Sequence, residues 1–392
     1  MKHPRLAVAV VAAVSLPALA ACTDNTTSKP GTGGASVADR TISVTSSDSS
    51  CELSTSKAPA GNLIYKIKNT GNKVTEFYLY GSDGLRIVGE VENVGPGLSR
   101  NLVINVPKGK YIPACKPGMV GKGIRSAFTV TPSTQGGGVS GATKAQVAQA
   151  NRQYQAYVRD QTEQLLTATQ QFVTAYKAGN DAKARALFAP ARQHYERIEP
   201  VAESFGDLDP KMDLRQADVE KGDAWTGWHR IEKDLWPPAK GYQALSKQGR
   251  AQYADDLLAN TRTLRTRAQR LNFTVDQIGN GAKGLLDEVA KSKITGEEET
   301  WSHTDLYDFQ ANVEGARVAF EGLKPVLATK DPALSKEIQQ RFTELQTLLD
   351  QYRSGRGWVS YTKLTKQDVR ELSIAVNALS EPLSKLTAAV TL

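Results

Sequence analysis

Between Ser133 and Ala142 the chain reads Ser-Thr-Gln-Gly-Gly-Gly-Val-Ser-Gly-Ala, and the hydrophobic period differs on its two sides. Ahead of this stretch, apolar and polar residues alternate in short runs. Beyond it, apolar residues return with the spacing of a helix turn. A period of two sends neighbouring side chains to opposite faces of a strand, whereas a period of 3.6 gathers them on one helix face. No single element satisfies both, so the Gly-rich stretch at 133–142 reads as a linker between a β part and a helical part.

In the β part, Leu63-Ile64-Tyr65-Lys66-Ile67-Lys68-Asn69 alternates and is followed by a turn at Thr70-Gly71-Asn72. Val74–Tyr80, Arg86–Glu92, Ser99–Val106 and Ala127–Thr131 continue the pattern, separated by Gly- and Pro-rich turns. Some seven short strands in about 90 residues predict a small sandwich or Greek-key barrel. The helical part opens with one long amphipathic run, Thr143 to Tyr176, carrying Val147, Tyr154, Val158, Leu165 and Phe172 on or near one face. Asp181 is placed to cap a second helix running to Phe205, bent at Pro200, and Pro237-Pro238 stops a helix over Trp225–Trp236. Five more helices are expected at Lys247–Leu271, Val275–Lys293, Asp305–Leu323, Pro332–Arg353 and Lys366–Thr391, arranged as two antiparallel bundles.

The N-terminus reads as an export leader over residues 1–21, with Lys2 and Arg5 ahead of an apolar run from Leu6 to Leu19. Leu19-Ala20-Ala21-Cys22 has the form of a lipobox, which makes Cys22 the lipidated first residue of the mature chain. Ordinary signal cleavage is the alternative. The Ser/Thr/Gly-rich segment over 22–46 then reads as a tether, and 47–132 as the β domain. A net charge of +8 falls to +6 once the leader is removed, and it is spread without a dense Lys/Arg block, so nucleic acid is not an expected partner. Two cysteines remain, Cys51 and Cys115. In an oxidising compartment an even pair suits a disulfide, while Cys115 in a turn with Met119 also suits a soft metal. With no histidine between the leader and His194, a His-bearing copper centre has no ligand in the β part.

Three stretches could carry chemistry. In Trp225–Trp236, residues Trp225, His229, Glu232 and Trp236 share one helix face, so an imidazole and a carboxylate point together into apolar surroundings. That costs free energy unless a cation or hydrogen-bonding partner compensates. In the helix ending at Phe205, Glu196, Glu199 and Glu203 run along one side of a stripe that includes His194. Glu199 borders the core; Glu203 fits a solvated face, and His194 fits a hydrogen-bonded core position. At Gly296–Phe309, acids, His303, Asp305 and Asp308 cluster at a helix start, where Asp305 could cap and His303, Asp305 or Asp308 could complete a site across the bundle. Carboxylates from one helix facing a His/Glu pair from another are how helical bundles build metal sites. Oxygen-rich ligation with one imidazole suits iron, manganese or zinc. No nucleophile-elbow, zincin or phosphate-loop motif is present.

Read together, His194-Tyr195-Glu196-Arg197-Ile198-Glu199-Pro200, Phe205-Gly206-Asp207-Leu208-Asp209, Gly227-Trp228-His229-Arg230-Ile231-Glu232-Lys233 and Ser302–Asn312 resemble the imelysin, or M75 peptidase-like, family, whose Gly-x-His-x-x-Glu motif is matched at 227–232. The order of leader, β domain and helical domain resembles the EfeO family of iron-uptake lipoproteins. The resemblance implies a cupredoxin-like N-terminal sandwich and an imelysin-like all-α domain of two bundles over 143–392. It implies an extracytoplasmic iron-binding component, anchored to the outer face of the cytoplasmic membrane, that passes iron to a permease with a haem peroxidase as third component. The expected metal residues are His229, Glu232, Glu196 and Glu199 in the helical domain. In the sandwich they are Cys51, Glu76, Glu92 and Cys115, where Val88–Gly97 and the cysteines match the family's proposed metal positions. The metal that the resemblance implies is iron, ferric or ferrous, with copper or zinc as alternatives in the sandwich. A competing reading is an M75-type metallopeptidase using the His229/Glu232 metal to activate water, and a further one is a binding module for acidic polysaccharide. Peptidase activity is not expected of this branch.

Overall fold

In a computed structural model, the structure describes residues 38–84, 87–133, 142–219, 222 and 224–392. The leader, Cys22 and nearly all of the 133–142 linker therefore lie outside the described residues. The N-terminal part is a two-sheet sandwich. One sheet combines β1 (Thr41–Ser46), β2 (Cys51–Leu53), β4 (Gly61–Asn69) and β7 (Ser99–Val106) in the order β2-β1-β4-β7, once β3 (Lys57–Pro59) is set aside for the other sheet. The second runs β3-β10-β8-β5-β6, from β5 (Thr75–Gly81), β6 (Ile87–Val94), β8 (Gly109–Cys115) and β10 (Phe128–Thr131), with β9 (Ile124–Arg125) paired to β8. Alternation explains the arrangement. In β4, Leu63, Tyr65 and Ile67 are fully buried, while Lys66 and Lys68 face solvent. The tether expected over 22–46 is corrected at its end. Thr41–Ser46 is a strand paired in parallel with β4, because Ile42 and Val44 alternate with polar residues and fill the core.

The rest is helical apart from a short hairpin of β11 (Arg353–Ser354) and β12 (Gly357–Trp358): α1 (Ala142–Lys177), α2 (Asp181–Glu196), α3 (Leu208–Asp213), α4 (Trp228–Leu235), α5 (Lys247–Ala268), α6 (Val275–Lys291), α7 (Asp305–Lys330), α8 (Pro332–Leu349), α9 (Lys366–Leu383) and α10 (Leu386–Thr391). Several boundaries differ from expectation for local reasons. Asn180, not Asp181, caps α2, its side chain accepting from the Lys183 amide. That helix stops at Glu196 rather than Phe205, and Glu199–Phe205 is a 3₁₀ segment with Pro200 near its start, so the backbone cannot continue the α ladder. Trp225 lies ahead of α4, so only His229 and Glu232 keep their expected common helix face. The expected helix over Lys366–Thr391 is broken at Ser384–Lys385. The helices share one continuous apolar core, and α7 packs on α1 and α2 as well as on α6 and α8. Among the described residues no helix is long and apolar enough to cross a membrane.

The sandwich sits against α6 and α10. The Asn105 amide donates to Asp276 Oδ2 at 3.1 Å, Asn280 donates to the Val103 carbonyl at 2.9 Å, and Asn62 donates to the Thr391 carbonyl at 3.0 Å.

Candidate metal centre

Local sequence brings four elements to one point. Gly227 precedes α4 at φ 85°, and a Cβ there would lie 2.1 Å from the Met212 carbonyl oxygen. Only glycine lets the start of α4 abut the end of α3, which puts His229 beside Asp213. Gly281 of α6 plays the same part for the 3₁₀ segment that carries Glu199, since a Cβ would collide with the Pro200 carbonyl at 1.7 Å. The fourth element is the turn ahead of α7, which supplies Glu298 and Glu299. Its Trp301 and Ser302 amides donate to Glu232 Oε1 at 3.0 and 2.7 Å. The Glu299 amide donates to Asp305 Oδ1 at 3.0 Å, and Ser302 Oγ to Glu299 Oε2 at 3.0 Å.

The result is a deeply buried set. His229 is 1% exposed, Glu232 and Glu299 are fully enclosed, and Glu298 is 4% exposed. His229 Nδ1 lies 3.4 Å from Glu232 Oε2, and its Nε2 lies 3.4 Å from Asp213 Oδ1 and 3.6 Å from Glu298 Oε1. Two groups of side chains offer ligand atoms all within 4.8 Å of one another: His229 with Glu232 and Glu299, and His229 with Asp213 and Glu298. His229 Nε2 makes no hydrogen bond despite its burial, and Glu299 Oε1 has the Arg192 guanidinium at 2.6 Å as its neighbour.

Two buried cations border the set. Arg192 pairs with Glu196, Asp213 and Glu299, the last at 2.6 Å, and reaches Glu298 and Asp308 at 3.4 Å. Lys293 holds Glu199 at 2.7 Å, Glu196 at 3.0 Å and Glu298 at 3.6 Å. Asn312 adds donors to Glu196 Oε2 and Glu199 Oε2 at 2.9 and 2.7 Å. Burial and the Arg192 charge push the His229 imidazole down, but Asp213, Glu232 and Glu298 outweigh them and hold it well above its usual value. The Glu298 carboxyl is opposed by burial yet held down at about 2, by Lys293 first and then His229. Burial, followed by Glu232, raises Glu299 well above the ordinary carboxylate range, and burial lifts Asp308 to about 8. Acids thus outnumber bases here, and some stay protonated to limit repulsion. A cation entering the set would displace the His229 proton.

Of the expected residues, His229 and Glu232 meet in this set. Glu196 and Glu199 lie beside it, bonded to Arg192, Lys293 and Asn312. Asp308 faces Arg192, Asp305 caps the Glu299 amide, and His303, in a left-handed conformation at φ 56°, contributes its backbone to Glu299 and Tyr361. His194 pairs with Gln161 at 2.9 Å, as a core histidine would. Sequence reasoning missed Asp213, Arg192 and Lys293, and passed over Glu298 and Glu299 within an acidic run. A lone Asp or Arg on a helix carries no periodic mark of burial. Arg192 at i, i+4 from Glu196 beside an apolar stripe was the available signal.

In the sandwich the expected set is overturned in part. Cys51 and Cys115 form a disulfide, Cα to Cα 5.5 Å, so while bridged neither offers a thiolate to a metal. Glu76 and Glu92 do approach each other. The Tyr78 hydroxyl lies 3.1 Å from Glu76 Oε2 and 3.4 Å from Glu92 Oε1. Among the described residues no group of three ligand side chains gathers there.

The imelysin family model matches residues 150–386. An iron uptake system component EfeO of Escherichia coli O157:H7 is 39% identical over 352 residues, spanning 88% of this chain and 90% of that protein. The chain belongs to the EfeO family. An Efem/EfeO family lipoprotein of Staphylococcus haemolyticus is 46% identical over 249 residues, 63% of this chain and 85% of its own. Reduced auracyanin of Roseiflexus castenholzii is similar over 25% of this chain and 100% of its own, at 22% identity and a TM-score of 0.21, a likeness that carries no argument about the sandwich. These EfeO-family relatives are named as an uptake component and a lipoprotein, not as enzymes, in keeping with the expectation that peptidase activity is absent.

Proposed function

We propose that this chain is the iron-holding component of an uptake system, with iron as cargo in the buried centre of His229, Glu232 and Glu299, bordered by Asp213 and Glu298. The observation that carries the reading is that His229 belongs to two groups of ligand atoms, each within 4.8 Å of one another, with Glu232 and Glu299 in one and Asp213 and Glu298 in the other. Three carboxylates or more with one imidazole form a hard, oxygen-rich set, which favours ferric over ferrous iron. The Escherichia coli relative, named as an iron uptake system component, supports the same cargo. Glu232 is fixed by two backbone amides, so one ligand direction is set before a metal arrives. Glu196 and Glu199 are then charge partners of Arg192 and Lys293 rather than ligands.

The finer picture follows the same reading. A cupredoxin-like sandwich, its cysteines bridged, retains Glu76 and Glu92 as its oxygen donors for iron, copper or zinc. Lipid on Cys22 would hold the chain at the outer face of the cytoplasmic membrane, from which iron passes to a permease alongside a haem peroxidase. Equilibrium dialysis against a ferric chelate tests the centre. The full chain should retain iron, and His229→Ala/Glu232→Ala should not. Undiminished retention by the double variant would refute the site.

A further inference from the structure

A centre this enclosed needs a way in. A cavity of about 760 Å³ lies between the sandwich and the helical domain, and its wall includes Asp213 and Glu298 of the centre at one side and Glu90 and Glu92 of β6 at the other. Glu203 of the 3₁₀ segment and Glu288 of α6 line it between them. His229 Nε2, fully buried and without a hydrogen bond, sits against the same Asp213 and Glu298 carboxylates. The wall holds ten carboxylates and five Lys or Arg side chains, on a chain whose net charge is +8. The acidity of this space is therefore not a reflection of composition.

Resting on the reading above, we infer that this interdomain cavity is the route by which the metal cation reaches the buried centre, with Glu90, Glu203 and Glu288 as the carboxylates that pass it inward. These three are not arranged as a site. None belongs to a group of ligand atoms close enough to hold an ion. Glu90 and Glu288 are half-buried and Glu203 is exposed, and all three line the cavity. Burial and the neighbouring Glu203, Glu92 and Glu76 carboxylates raise Glu90 well above its usual value. Burial lifts Glu203 to about 7, with Asp209 and Glu92 adding to it, and lifts Glu288 to about 7, with Glu298 and Glu92 adding against Lys293. Glu288 thus senses both the sandwich and the centre. Separated carboxyl groups that give up a proton as a cation approaches offer it successive oxygen partners without trapping it. The hydrogen bonds from Asn62, Asn105 and Asn280 keep the walls in register.

The test is the rate of iron loading by the full chain, measured by rapid mixing with ferric nitrilotriacetate, timed quenching with excess chelator, and counting of protein-bound iron. Glu90→Gln/Glu203→Gln/Glu288→Gln should load about tenfold more slowly and with a weaker salt dependence, yet hold the same amount of iron at equilibrium. Glu203→Gln alone, at a position already open to the cavity, should show a smaller slowing of the same kind and serves if the triple variant folds poorly. An unchanged loading rate would overturn the route. So would a loss of iron at equilibrium, since that would make the three residues ligands. If the unsubstituted chain, like His229→Ala, holds no iron, the centre itself is refuted and the route falls with it. Normal retention with normal loading in the glutamine variants refutes the route alone.

Discussion

Replacing both bridged cysteines by serine separates two meanings of Cys51 and Cys115. They are 64 residues apart, and opening a loop of that size releases chain entropy in the unfolded state worth about 4 kcal/mol at 25 °C on the loop-closure model. With a urea dependence of about 2 kcal/mol per molar, the midpoint of sandwich unfolding should fall by about 2 M. All five tryptophans, Trp225, Trp228, Trp236, Trp301 and Trp358, lie in the helical domain, so the two parts can be followed separately. Tryptophan emission reports the helices alone, so a tyrosine circular-dichroism transition without a matching tryptophan change is that of the sandwich, where Tyr65 packs at 5.2 Å on Phe77. Iron retention at the helical centre should survive in conditions where the sandwich stays folded. If Cys51→Ser/Cys115→Ser left the sandwich midpoint unmoved but reduced bound iron, the cysteines would be ligands and the bridge argument would fail.

Lys293→Met should cost the iron-free chain about 3 kcal/mol, because it strands Glu199 and leaves Glu196 with Arg192 alone, and iron should restore more of the melting temperature than it does in the unsubstituted chain; equal shifts with and without iron would contradict this. Gly227→Ala forces a side chain into the left-handed backbone and against Met212, a loss of about 2 kcal/mol or more in thermal melts, and it should weaken iron retention by parting α4 from α3. His194 is lowered to about 4, by burial first and then by Arg197, so its neutral form is favoured in the fold. Stability from this group is present above about pH 6.5 and drains as the pH falls toward 4, where the unfolded chain takes up a proton that the folded chain refuses. His194→Gln should flatten that part of the stability profile measured by urea melts between pH 7 and 4.

What the sequence made legible follows from periodicity. The strand alternation of Leu63–Lys68 and the helical stripe of Tyr154, Val158, Leu165 and Phe172 needed no tertiary information, since each buried residue is marked by its neighbours. His229 and Glu232 were legible for a related reason, being polar residues on an apolar helix face. Their partners were not. Asp213 closes a six-residue helix too short to show a period, and Glu298 and Glu299 sit in a turn where acids usually face water. Lys293 reads as a helix-ending cation, yet it is 3% exposed. The tether boundary at 46 falls too late because Thr41–Ser46, polar at every second residue, puts only Ile42 and Val44 of its apolar side chains into the core. Contacts between elements distant in sequence left no local trace.

The electrostatics of the centre also constrain what it can be for. Buried ion pairs seldom stabilise a fold more than apolar side chains of the same volume would. A cluster joining Arg192 and Lys293 to Glu196, Glu199, Asp213, Glu298, Glu299 and Asp308 is therefore a poor device for stability alone. On the proposed reading it is a site with two charge states. Without metal, the two cations and the His229 proton offset the excess of carboxylates. With metal, the ion takes over that part for Glu232 and Glu299, while Arg192 and Lys293 remain close enough to oppose it. A purely anionic cage would bind more tightly and release more slowly. A carrier that must give up its cargo is served by a cage whose own cations compete for the ligands.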